Sequence, residues 1–183
     1  MLHRLIAQRK KAVGPEQRCA EAQTVFEQIE GSSVFRNAKR VLLYHSLPDE
    51  LPTHEVIERW NSLKEVYLPR IKGNEIEIVR YNGQFSIDNR YHISEPVGEA
   101  TDQEMDLAIV PAVAVDPQCF RLGRGGGFYD RWMAQHPQCP TWAVALNCQL
   151  VERVPTLPHD LRLDGVITAL HTFFTTTEMN NDL

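Results

Sequence analysis

The spacing of apolar positions alternates between helical and extended patterns along the chain. Leu2, Leu5 and Ile6 recur at the helical period, and with Arg9 and Lys10 they predict an amphipathic first helix with a basic outer face. Gly14-Pro15-Glu16-Gln17 reads as a stop and a new start: Pro15 suits the first helical position, and Glu16 suits the positive end of the helix dipole. The second helix then runs through Ala22, Val25, Phe26 and Ile29 and ends near Gly31. Residues 40–45 form a short predicted strand, Thr53 caps a helix through Val56, Ile57 and Trp60, and residues 66–69 form the next strand.

Further along, residues 75–80 alternate polar and apolar, the period of a half-exposed strand. Residues 81–93 are polar and irregular, with turn signals at Asn82-Gly83 and Asp88-Asn89. Residues 106–115 are almost unbroken in their apolar character and predict the best-buried strand of the sheet. Residues 141–146 add another apolar strand, and the polar tail, 175–183, is expected to fray. A strand, a loop, a helix and a second strand in succession predict a parallel sheet with a crossover helix. The fold class is therefore α/β: one domain built on a mostly parallel, Rossmann-like sheet flanked by helices.

Composition narrows the function. The 183 residues fit one domain and are enough to bury roughly 70% of the unfolded surface. A net charge of −5 argues against nucleic acid as the main partner. No stretch is long and apolar enough to suggest a membrane span, and the N-terminus lacks the apolar core of a secretory signal. Cys19, Cys119, Cys139 and Cys148 include no Cys-x-x-Cys pair, so they read as free thiols in a cytoplasmic protein.

The chemistry concentrates in Arg121-Leu122-Gly123-Arg124-Gly125-Gly126-Gly127-Phe128-Tyr129-Asp130-Arg131. This stretch follows an apolar strand and precedes a predicted helix starting at Tyr129. A strand, a glycine-rich turn and a helix make a phosphate cradle, because backbone N–H groups converge on an anion and the helix N-terminus adds partial positive charge. It is not a Walker loop, which needs Lys and then Ser or Thr after its last glycine. Nor is it the dinucleotide fingerprint, since the sixth residue counted from Gly123 is Phe128. Arg124 lies among glycines, where its guanidinium can reach a phosphoryl oxygen, and Asp130 directly follows the loop, where it can face a metal. A sugar phosphate would suit such a cradle as well as a nucleotide.

The whole stretch, preceded by Val-Pro-Ala-Val-Ala-Val-Asp at 110–116, closely resembles the signature of the 5-formyltetrahydrofolate cyclo-ligases, or methenyltetrahydrofolate synthetases. Asp49-Glu50-Leu51-Pro52-Thr53, Glu95-Pro96, Gln149 with Pro155, and His159-Asp160 resemble further landmarks of that family. The resemblance implies a sheet of the ribose-phosphate isomerase or CoA-transferase type and an ATP- and Mg²⁺-dependent cyclisation of a reduced folate by a monomeric enzyme. It implies that residues 121–129 hold ATP and that Arg124 is catalytic. Glu50, Arg124 and Phe128 would touch folate, and Asp130 and Asp160 would bind the metal, with Asp164 the competitor for the second place. Many family members have Tyr where Phe128 stands; Phe keeps the flat face and loses a hydroxyl. The family's first helix also carries a Lys-x-x-x-Arg element that contacts ATP. Aligned through Pro15-Glu16-Gln17-Arg18, His3 falls at the Arg position and the Lys position precedes Met1, so either the start given is short or Arg4 and Arg9 supply the charge. Two other readings stay open: a sugar-phosphate enzyme or sensor of similar fold, and a folate-binding protein without catalysis.

Overall fold

A computed structural model of the chain describes residues 1–87, 93–157 and 160–175. Seven strands form one sheet: β1 Arg40–Leu42, β2 Glu65–Lys72, β3 Glu75–Arg80, β6 Leu107–Pro111, β9 Thr141–Val144, β10 Gly165–Ile167 and β11 Thr172–Phe174. Their spatial order is β11-β10-β9-β6-β1-β2-β3. The five central strands pair in parallel, while β3 and β11 close the two edges antiparallel. The mostly parallel α/β sheet expected from the sequence is thus present.

Helices cover both faces of this sheet. On one side α2 (Pro15–Gly31), α3 (Ser33–Asn37) and α4 (His54–Asn61) pack Phe26, Ile29, Phe35 and Trp60 against Val41, Leu107, Ile109, Trp142 and Val144. On the other side α5 (Phe128–Gln135) packs Trp132 and Met133 against Leu42, Ala108, Val110, Ala143 and Val166. Successive residues of a strand point to opposite faces, so Leu107 and Ile109 serve one core and Ala108 and Val110 the other. A strand buried on both faces has to be apolar throughout, which is why 107–110 show no alternation. Helix α1 (Leu2–Lys11) lies apart from both layers, with Ile6 packed on Val113, Ala114 and Val154 beyond the end of β6.

Several expected boundaries move, each for a local reason. The run at 106–115 is not one strand. Asp106 turns its carboxylate onto the N–H groups of Lys39 and Arg40 (2.9 and 2.7 Å), and β6 ends at Pro111. The chain then bends, and β7 (Ala114–Val115) pairs antiparallel with β8 (Arg121–Leu122) in a separate ribbon. Thr53 precedes α4 but makes no capping bond. Its hydroxyl donates to the Tyr44 carbonyl (2.6 Å) and accepts from the Ser46 N–H (3.0 Å), stitching the two ends of the β1–α4 loop together. Within 81–93, β4 (Phe85–Ile87) pairs with β5 (Ser94–Pro96), while the turn signal at Asp88-Asn89 lies outside the described residues. The expected frayed tail also lies outside them, apart from Thr175. Among the described residues no helix is long and apolar enough to cross a membrane.

Candidate functional site

The order of strands says where to look. From β1 the chain crosses to β2 on one side, and from its neighbour β6 it crosses to β9 on the other. In an open parallel sheet the loops leaving two such strands diverge, and the crevice between them at the carboxyl ends is the usual ligand site. Here one wall is the loop after β1, residues 43–53, and the other is the stretch after β6 that carries the glycine loop.

A ribbon of two short strands presents that loop. Asp116, fully buried, closes the β7–β8 turn by accepting the N–H groups of Gln118, Phe120 and Val154 (2.9, 3.0 and 2.8 Å). Leu122 then pairs with Ala114, and the chain leaves the ribbon as Gly123 to Gly127. Gly125 and Gly127 sit at φ +97° and +63°, a region that L side chains rarely adopt. A Cβ on Gly126 would stand 2.6 Å from the Phe128 ring, so that glycine is needed for space. Gly127 starts α5 without any side-chain cap, leaving the first N–H groups of the helix facing the loop. Arg131 pins the far end of the loop by donating to the carbonyls of Gly126 (2.8 Å) and Asn74.

Across the crevice, Arg124 joins the two walls. Its Nε donates to Glu50 Oε1 (3.2 Å) and its Nη2 to Asp49 Oδ1 (2.6 Å), contacts made between residues about 75 apart in sequence. Glu50 is buried at 8% exposure and also accepts the Leu47 N–H (2.9 Å). The buried phenol of Tyr44 and the partly buried Tyr129 flank it, their pKa values pushed up by desolvation and then by the Glu50 charge. For Asp49, burial raises the pKa, but bonds to Lys10 and Arg124 outweigh it and the carboxyl is held below its usual value. Burial lowers the pKa of Arg124, and Glu50 and Asp49 more than reverse the effect, so the guanidinium stays charged.

Lys10, expected with Arg9 on the basic outer face of α1, is instead turned inward and is a buried cation of this site. Its side chain is 7% exposed, and Nζ donates to Asp49 Oδ2 at 2.5 Å. Arg4 and Arg9, the expected substitutes, are exposed on the outer face of α1. Helical phase would have found Lys10: Leu2, Ile6 and Lys10 follow at intervals of four and share the inward stripe. Arg18 then fixes α1 to the β1 loop by donating to the carbonyls of Val13, Lys10 and Pro48 (3.1, 2.7 and 3.2 Å). His3 Nε2 lies 3.0 Å from the Gly123 carbonyl. Together His3, Ala7, Lys10, Asp49, Val113 and Arg124 line a cleft of about 200 Å³ between α1 and the glycine loop.

The remaining expected residues are placed as follows. Arg121 is almost wholly buried and holds Asp130 through two bonds (3.1 and 3.2 Å), while its Nε has no acceptor. Phe128 stacks under the Arg131 guanidinium, and Tyr129 under that of Arg121. Asp160 closes a turn on Leu157, accepting its N–H at 2.6 Å and donating its own N–H to the Leu157 carbonyl. Asp164 is tied to the start of β9 through the Thr141 N–H (2.8 Å). Pro158 and His159 lie outside the described residues. Among the described residues no three His, Cys, Asp or Glu side chains converge as a ready metal cage. Glu95 of the Glu-Pro landmark is structural, accepting the Ile71 N–H at 2.7 Å. Gln149 donates to the carbonyls of Ala112 and Val113 (2.6 and 3.0 Å), holding the bend after β6.

Comparison with known proteins places the chain among its relatives. A model of the 5-formyltetrahydrofolate cyclo-ligase family matches residues 2–169. The 5-formyltetrahydrofolate cyclo-ligase of Escherichia coli K12 is 34% identical over 175 residues, covering 90% of this chain and 96% of its own. The mouse protein of the same name is 26% identical over 181 residues, covering 88% and 89%. The solution structure of the Aquifex aeolicus 5,10-methenyltetrahydrofolate synthetase superposes with a TM-score of 0.81 at 27% identity, over 94% of this chain and 90% of that one. By the family match over residues 2–169 and the 34% identity to the Escherichia coli protein, the chain belongs to the 5-formyltetrahydrofolate cyclo-ligase family.

Proposed function

We propose that the protein converts 5-formyltetrahydrofolate to 5,10-methenyltetrahydrofolate with ATP, releasing ADP and phosphate. The observation that carries this reading is the contact of Arg124 with Glu50, which joins the glycine loop to the acidic loop across the crevice. A residue on the nucleotide side and one on the folate side then meet where the phosphoryl group must pass.

The chemistry explains the residue types. The formyl oxygen on N5 is a poor leaving group; it attacks the γ-phosphorus, and the bond to the β-phosphate oxygen breaks as ADP departs. N10 then attacks the activated formyl carbon, the carbon–oxygen bond breaks, and inorganic phosphate leaves. Such a transfer relies on positioning and on neutralising charge, and it needs no side-chain nucleophile. Arg124 reaches the transferring oxygens while the glycine backbone and the uncapped start of α5 cradle the phosphates. Glu50, desolvated beside Tyr44 and Tyr129, accepts hydrogen bonds from the pterin, and Phe128 offers a face for the pterin or aminobenzoyl ring.

Mg²⁺ would neutralise the β- and γ-phosphate oxygens. The donors present suit it, since Mg²⁺ takes one or two carboxylates and completes its shell with phosphates and water. Asp130, one-third exposed beside the loop with Arg121 on its oxygens, would be the first such ligand, and Asp160 would be the second. Four free thiols fit an enzyme of the reducing cytoplasm.

Mixing protein, 5-formyltetrahydrofolate, ATP and Mg²⁺ and following methenyl-folate absorbance tests the reading. Product that depends on both ATP and Mg²⁺ is expected. Its absence would reject cyclisation, and folate binding without turnover would leave a non-catalytic binder.

A further inference from the structure

The geometry points to Lys10 as the cation through which α1 grips a nucleotide's polyphosphate, with Asp49 as the internal carboxylate that a phosphate oxygen displaces. This inference rests on the cyclo-ligase reading above and adds a residue that the signature of the glycine loop does not contain.

Four observations lead to it. First, Lys10 is turned inward on the stripe of Leu2 and Ile6, a position where an apolar residue would pack at least as well. Replacing a buried ion pair by apolar side chains is often neutral or stabilising, so stability alone does not explain an ammonium there. Second, the ammonium lines a cleft rather than the core, and Arg124 lines the same cleft from the opposite wall. Third, one carboxylate bridges the two cations: Asp49 Oδ2 meets Lys10 at 2.5 Å and Oδ1 meets Arg124 at 2.6 Å. Two cations held apart by the width of one carboxylate present the pattern that two oxygens of a phosphate group would satisfy. Fourth, Asp49 is 45% exposed although its partner is buried, so its carboxylate can turn out to water when a stronger anion enters.

Arg18 gives Lys10 a fixed base. By donating to the Lys10 and Val13 carbonyls and to Pro48, it holds the end of α1 against the loop that carries Asp49. The ammonium is therefore delivered to the cleft by a braced helix end, which lowers the ordering cost of anion capture. Polyphosphate is the anion chosen because the cleft lies on the glycine-loop side, and Gly123 and its neighbours supply the other donors.

Calorimetry with inorganic tripolyphosphate and with Mg-ATP, on the full chain and on Lys10→Met, Lys10→Arg and Asp49→Asn, tests the assignment. Lys10→Met is expected to weaken tripolyphosphate binding by about tenfold or more, the loss of one charge-assisted contact. Lys10→Arg is expected to stay close to wild type, and Asp49→Asn to bind tripolyphosphate more tightly because the competing carboxylate is gone. If Met at position 10 unfolds α1, Lys10→Gln carries the same expectation. Unchanged tripolyphosphate affinity in the Met and Gln variants overturns the inference. So does a rise in KM for 5-formyltetrahydrofolate with none for ATP, which would assign Lys10 to the folate's carboxylates. A wild-type chain that binds tripolyphosphate through Lys10 yet makes no methenyl-folate would reject cyclisation and uphold the inference.

Discussion

Arg124→Met separates the role of the guanidinium in catalysis from its role in the fold. The side chain is 49% exposed, and its two partners differ: Asp49 keeps Lys10, and Glu50 keeps the Leu47 N–H. Neither carboxylate is left alone, and a half-exposed pair contributes little, so folding should lose about 1 kcal/mol. For a chain of this length that is a fall in Tm of roughly 2–4 °C. The transition state loses more. Removing one preorganised donor from a site of developing charge costs ~2.7–4 kcal/mol, so kcat/KM should drop about 10²–10³-fold. Methenyl-folate absorbance under saturating ATP, beside a thermal melt, measures both numbers on one preparation. Activity within about fivefold of wild type would remove Arg124 from the chemistry. A Tm loss far beyond the expected few degrees would make the Arg124 contacts structural instead.

Three further outcomes are expected. His45 stacks on His54 and under Phe85; burial first, then His54, lowers its pKa to about 4. The unfolded chain binds that proton at a higher pH than the folded one, so stability falls as pH drops from about 6.5 towards 4, and His45→Leu should flatten this part of a Tm-versus-pH curve. A curve unchanged by the substitution would refute it. Asp130→Asn keeps an acceptor for Arg121 but loses the charge, so the Mg²⁺ concentration needed for half-maximal turnover should rise at least about tenfold with the melt little moved. An unaltered Mg²⁺ titration would exclude Asp130 as a ligand. Gly126→Ala puts a methyl group 2.6 Å from the Phe128 ring and must push it aside. KM for folate should then rise while Tm falls by roughly 2–12 °C, since overpacking costs about 1–3 kcal/mol; an unchanged KM would place Phe128 away from the folate.

Much of the fold follows from patterns that short-range physics enforces. Pro15 at the start of α2, the two-residue period of β3, and the strand–glycine–helix order around 107–135 all reflect local geometry. What escaped was decided by partners far away in sequence. The apolar run at 106–115 hides a bend because Val113 and Ala114 face α1 rather than the sheet, and Pro111, where β6 ends, is the local sign of it. Thr53 carries every local sign of a helix cap, yet its hydroxyl is taken by Tyr44 and Ser46. The candidate site divides the same way. The glycine loop and the Asp49-Glu50 pair stand out as words in the sequence. Their junction through Arg124 does not, because it is formed by the β1–β6 switch point. Lys10 is one of four Lys and Arg residues in α1, and only the phase of Leu2 and Ile6 distinguishes it from Arg9 and Lys11.

The anchoring of the two walls has a mechanical consequence. Arg18 makes α1 and the acidic loop a single stiff wall through three carbonyls. The opposing wall is fastened at Leu122 by the ribbon and at Gly126 by Arg131, and across the crevice by side chains only, His3 on the Gly123 carbonyl and Arg124 on Asp49 and Glu50. Between those fixed points lie Gly123, Arg124 and Gly125, with two of the three lacking side chains. Compliance is thus confined to a three-residue span with Arg124 at its middle. A ligand entering the cleft need not open the domain: flexing that span is enough to carry Arg124 away from the acids of the opposite wall.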